Sequence, residues 1–181
     1  PAIGETDVLC INSDTIITSV VSSAGAAWAQ VNSAVTNQGS YIYVRKATGG
    51  EPSTVTITTS GNFNTHVGWS RWPSLNTIDT STATQANGSA GSITPAHSTG
   101  VMTQNTELVI AFGAMHAIGV ADQNTPVWSA GFTGLTAGIQ NAGGAGGGVL
   151  GYVGYRQNAG TAAETPLVSW SGASANDRYM L

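Results

Sequence analysis

Tyr41-Ile42-Tyr43-Val44-Arg45-Lys46, then Gly49-Gly50-Glu51-Pro52, then Thr54-Val55-Thr56-Ile57-Thr58, is the stretch that decides the fold. Successive side chains of an extended chain point to opposite faces. In the first run Tyr41, Tyr43 and Arg45 share one face and Ile42 and Val44 the other; the aliphatic pair is expected to face the core. In the second run Val55 and Ile57 alternate with threonines, apolar in and hydroxyl out. Glu51-Pro52 reads as turn chemistry between them, because proline pre-sets the backbone.

The same pattern extends outward. Strands are expected near residues 7–12, 15–21, 28–35, 40–47, 54–59, 66–72, 107–117, 126–133, 149–157, 165–171 and 178–181, with Gly, Ser, Asn and Pro between them. Leu108-Val109-Ile110-Ala111-Phe112 is apolar on both sides, which predicts a central strand covered on both faces. No window of 11–18 residues carries helical apolar spacing. Residues 79–100 and 137–148 read as irregular, with a tight-turn pair at Asn87-Gly88 and a flexible glycine run ending at Gly146-Gly147-Gly148.

No linker divides the chain and no fixed-period repeat runs through it. Residues 1–181 are therefore expected to form one domain, an all-β, jelly-roll-like antiparallel β-sandwich. Tyr179-Met180-Leu181 reads as a last strand only begun, to be continued by further residues or by a partner chain. The expected core anchors are Trp28, Ile42, Val44, Val55, Ile57, Trp69, Trp72, Val109 and Phe112, with Trp128 and Trp170 behind them.

Composition narrows the function. Nine Asp/Glu and five Lys/Arg make 8% of the chain charged, against about 25% in an ordinary soluble domain. Ser and Thr together number 41 and Gly 24. Such a chain has little material for acid–base pairs, phosphate grips or metal cages. With five basic residues and a net charge of −4 it lacks the basic stripe that nucleic-acid binding needs, and no basic amphipathic helix points to a membrane surface. No apolar run approaches the roughly 20 residues of a membrane span. The expectation is no nucleic acid, no membrane, no cofactor and no metal.

Individual motifs read the same way. Cys10, in Val8-Leu9-Cys10-Ile11, is the chain's one cysteine and is expected to be a buried small hydrophobe. Gly146-Gly147-Gly148-Val149-Leu150-Gly151 matches G-x-G-x-x-G, but a dinucleotide site needs a helix next, and Tyr152-Val153-Gly154-Tyr155 alternates like a strand. His66, His97 and His116 have no metal-ligand spacing. The acids are scattered through expected turns and strand ends, which argues against a paired-carboxylate hydrolase, and no Gly-x-Ser-x-Gly elbow is present. Asn87-Gly88-Ser89 reads as a turn rather than a glycosylation site. Tyr41, Tyr43, Tyr152, Tyr155 and the tryptophans could stack on sugars, a reading set against their use as core and interface anchors.

Ala27-Trp28-Ala29-Gln30-Val31, Tyr41 to Pro52 and Thr54-Val55-Thr56-Ile57 resemble a β-sandwich module of tailed-bacteriophage virion proteins. Those modules carry a G-W-x-x-V strand, a Y-x-R-x-A-x-G-x-E-P strand and turn, and a Thr-rich strand. The opening through Asp7-Val8-Leu9 and the closing Ser-Gly-Ala-Ser-Ala-Asn-Asp-Arg-Tyr-Met-Leu segment also resemble the family. Ala27 stands where it has Gly. The resemblance implies a non-enzymatic virion component with no catalytic residues: a capsid decoration or cement protein, or part of a tail or fibre. It would be assembled in the host cytoplasm and partnered by capsid or tail proteins, with homotrimeric association favoured. Asn87, Gly88 and Gly146 to Gly148 are the candidate contact or tip residues. The rival reading is a receptor- or carbohydrate-binding module with a glycan partner.

Overall fold

The computed structural model describes residues 2–13, 15–35, 39–50, 54–61, 65–73, 75, 83–84, 92–93, 101–104, 106–117, 127–129, 131–135, 148–158, 160–166, 168–169 and 178–180. Among them the chain is all-β. The strands are β1 (Thr6–Ser13), β2 (Ile17–Ser22), β3 (Ala29–Val35), β4 (Gly39–Lys46), β5 (Val55–Thr59), β6 (Thr65–Trp72), β7 (Ala83–Thr84), β8 (Ser92–Ile93), β9 (Glu107–Ala117), β10 (Val127–Trp128), β11 (Thr133–Leu135), β12 (Gly148–Asn158), β13 (Val168–Ser169) and β14 (Arg178–Met180). The described pairings are antiparallel.

The strands form a four-stranded sheet in the order β3-β4-β1-β6, a five-stranded sheet β11-β12-β9-β14-β7, a three-stranded sheet β10-β13-β8 and the pair β2-β5. The four-stranded sheet is the middle layer. β1 is buried along its whole length, and its two faces serve different cores. Val8 and Cys10 join Ile42 of β4 and Phe112 and Val153 of the five-stranded sheet. Leu9 and Ile11 join Ile17, Tyr41 and Tyr43, with Val20, Trp28, Val55 and Ile57 packed against them. Three of the four sheets thus stack around two apolar seams, which explains why Val8-Leu9-Cys10-Ile11 is apolar at every position rather than at alternate ones.

That arrangement corrects the reading of β4. Ile42 is core-facing as expected, but Tyr41, Tyr43 and Arg45 are buried as well, because the β2–β5 pair covers their side. Val109 and Phe112 are buried, and β9 lies centrally between β12 and β14. Val44 and Trp72 pack half-buried against the first seam, and Val55, Ile57 and Trp28 against the second. Trp69 is a correction: its indole is 38% exposed, since it lies on β6 beyond the cover of the β2–β5 pair.

Other boundaries also shift. The strand expected at 126–133 is β10 and β11 separated by a turn, in which Phe132 N donates to Ser129 O at 3.1 Å and Gly131 takes φ +88°. Within the irregular 79–100 stretch lie the short strands β7 and β8. The strand expected at 165–171 starts later: Thr165 and Pro166 lie outside any strand and β13 spans Val168–Ser169, while Trp170 lies outside the described residues. β14 is held on both sides, Tyr179 opposite Gly113 of β9 and opposite Thr84 of β7.

The glycines of β12 are packing devices. A Cβ on Gly151 would lie 2.7 Å from the Phe112 ring and 3.1 Å from His66 Cδ2. One on Gly154 would lie 2.6 Å from the Trp128 indole. The G-x-G-x-x-G match therefore runs into a strand whose glycines admit aromatic rings.

Candidate functional site

Three residues in register across β4, β1 and β6 make the main polar constellation of the described chain. Asp7 stands opposite Arg45 on one side and Arg71 on the other. Arg45 Nε donates to Asp7 Oδ2 at 2.9 Å, its Nη2 lies 2.9 Å from the same oxygen, and both side chains are fully buried. Arg71 Nε donates to Asp7 Oδ1 at 2.8 Å and reaches Glu5 at 3.8 Å.

Two tryptophans enclose the buried cation. The Arg45 guanidinium carbon sits 4.5 Å from the Trp28 ring centroid and 5.7 Å from that of Trp69, and the indoles meet edge to face at 6.1 Å. Ser22 closes the group, accepting from Arg45 Nη1 at 2.7 Å and from Trp28 Nε1 at 3.0 Å. Such cation–π contacts gain strength when they are desolvated.

Burial pushes the Asp7 carboxyl up, but hydrogen bonds from Arg71, Arg45 and Trp69 outweigh it and hold the group below its ordinary 3.8. Both oxygens are engaged, so Asp7 is an ion-pair acceptor and not an available base. Trp69 emerges from this clamp: one side braces Arg45, the other faces solvent, and Val67 on the same face of β6 is 41% exposed.

The remaining described groups are disposed separately. Burial pushes the Cys10 thiol up to about 12, so it stays protonated, the inert state of a thiol. Glu164 pairs with Arg156 at 3.0 Å, and Glu107 accepts from Gln104 N at 2.6 Å. Among the described residues no three His, Cys, Asp or Glu gather closely enough to hold a metal ion. The tyrosines do not form one sugar-stacking platform: Tyr41, Tyr43 and Tyr152 are buried, and Tyr155 packs edge-on against Trp72 at 4.8 Å. Asn87, Gly88, Gly146, Gly147 and His97 lie outside the described residues. Gly148 opens β12 opposite Ala117.

His66 is buried between the middle and five-stranded sheets, and neither ring nitrogen has a hydrogen-bond partner among the described residues. Desolvation pushes its pKa down from 6.5 to about 4. The unfolded chain binds a proton there at higher pH than the folded one, so the contribution of neutral His66 is intact above pH 6.5 and lost as pH falls towards 4. At 1.36 kcal/mol per pKa unit the loss is about 3 kcal/mol. Urea titrations across this window are expected to show that decline, and His66→Leu is expected to flatten it. An equal slope in the variant would contradict the assignment.

The alternation groups Arg45 with Tyr41 and Tyr43, as the structure does, but puts that face away from the core, where the structure buries it, and the clamp is not foreseen. The available signal was a charge inside each of three strands, in a chain with few charges to spare. No family model, curated protein or solved structure matches this chain.

Proposed function

We propose that this chain is a non-enzymatic structural protein of a tailed-bacteriophage virion, a capsid decoration or cement protein that acts through repeated protein–protein contacts. The observation that carries the reading is the edge of the middle sheet: β6 has β1 on one side and no described strand on the other, and it displays Val67 and Trp69. An exposed apolar edge of this kind is a docking element. Stacked β-layers poor in charge suit a stiff body that binds by shape and burial, and symmetric repetition turns weak contacts into avidity. The resemblance centred on residues 27–57 supplies the virion setting.

Capsids stripped of the protein are expected to lose heat resistance and to regain it on re-addition, with saturable binding. Unchanged heat resistance and failure to rebind would count against the proposal. The half-exposed Trp69 indole favours a second reading, a tail or fibre module that binds a receptor glycan. Sugar-dependent quenching of tryptophan fluorescence, abolished by Trp69→Ala, would select it.

A further inference from the structure

We propose that β6 is the strand through which two copies of this chain pair, edge to edge about a twofold axis. The two four-stranded sheets would then become one continuous sheet. The inference concerns the isolated protein and stands whether or not the chain belongs to a virion.

The outer edge of β6 is built to pair. β6 is eight residues long and matches β1 residue for residue, from Thr6↔Trp72 to Ser13↔Thr65, without a register shift. Natural edges that must stay single carry bulges, prolines, lysines or inward charges. Thr65-His66-Val67-Gly68-Trp69-Ser70-Arg71-Trp72 has no proline, no lysine and no bulge. Its one charge at neutral pH, Arg71, lies near the strand end and is tied to Asp7. Nothing in the strand blunts it.

The register of the strand is self-complementary. Residues directly opposite in an antiparallel pair share a face. Self-pairing centred on Gly68 puts Gly68 opposite its own copy, so no side chain crowds the axis. Val67 then lies opposite Trp69 of the other copy, twice by symmetry, which joins the two exposed apolar side chains of the strand into one patch. Thr65 lies opposite Arg71, so the two arginines sit at opposite ends and like charges never meet. His66 lies opposite Ser70. Centring on Trp69 instead would set Val67 against Arg71, and centring on Val67 would set Trp69 against Thr65; each leaves Trp69 or Val67 without its apolar partner. A twofold pairing of identical strands also closes on itself and leaves no new open edge. A threefold axis cannot relate two β6 strands in this antiparallel pairing, so the threefold association expected from the sequence would have to use other contacts.

The test uses the whole chain of residues 1–181. Light scattering is expected to give twice the chain mass, and Val67→Lys, which places a lysine on an exposed edge position, is expected to give a folded monomer. Circular dichroism checks the fold. The register is read separately by mixing Val67→Cys with Trp69→Cys under mild oxidation. The mixture is expected to yield a reducible covalent dimer containing one of each, because opposite residues lie within disulfide reach. Either variant alone is expected to stay uncrosslinked, since its cysteines would be diagonal. Cys10, buried and protonated, does not compete. A monomeric or trimeric wild type, a dimer indifferent to Val67→Lys, or a mixture that fails to cross-link would each overturn the proposal. Should Val67→Lys not fold, the cysteine mixture decides.

Discussion

Asp7→Asn is expected to lower the free energy of unfolding by about 3–5 kcal/mol, the usual consequence of leaving a buried ion uncompensated. The loss falls on Arg45, which keeps Ser22 and the two indoles but has no counter-ion at 0% side-chain exposure. Arg71, with 39% of its side chain exposed, can turn to water and to Glu5. Removing the charge and its burial together should be far milder: Asp7→Leu with Arg45→Met replaces the pair by apolar groups, a change that is often neutral. Urea denaturation measures both, with an unchanged m-value as the check that the folded state has survived. A loss under about 1 kcal/mol in Asp7→Asn would place the pair among surface-like bridges. The same network predicts acid lability. Because the Asp7 pKa is depressed, its contribution is complete above pH 3.8 and disappears as pH falls through the lower folded value.

Phe112→Ala is expected to cost about 3–5 kcal/mol, the range for deleting a fully buried aromatic ring. The ring stands where the middle sheet meets the five-stranded one, among Val8, Cys10, Ile42 and Val153. It occupies the space that Gly151 leaves open on the neighbouring strand. Gly151→Ala alone should overpack this site. Combined with Phe112→Ala, the added methyl would fill part of the cavity, so the double variant should lose less than the sum of the singles. Strict additivity, usual only for residues that do not touch, would contradict the contact. Thermal or urea unfolding of the four proteins closes the cycle.

Period-2 patterning made the strands legible. The Thr54–Thr58 alternation predicts β5, and the doubly apolar Leu108–Phe112 run predicts the central β9. The third layer was less legible, because a strand buried on both faces and a strand buried on one differ only in what lies opposite. Tyr41, Tyr43 and Arg45 look solvent-facing beside Ile42 and Val44. They are buried because β2 and β5 fold over them and because Asp7, 38 residues away in sequence, supplies the counter-ion. Trp69 misleads in the other direction. Tryptophan composition argues for the core, but its position on an edge strand leaves the residue 38% exposed. The candidate site was only half legible: a charge inside each of three strands marks Asp7, Arg45 and Arg71, but they meet through the register of those strands, which no local pattern encodes.

If the chain is the virion component proposed above, electron cryomicroscopy of the purified particle decides most directly whether it works by the surface it displays. The expected result is density for this all-β body at symmetry-related positions on the shell or tail, with apolar side chains such as Val67 and Trp69 covered by neighbouring copies or by the shell. Particles that are complete and infectious without any copy of the chain would contradict it.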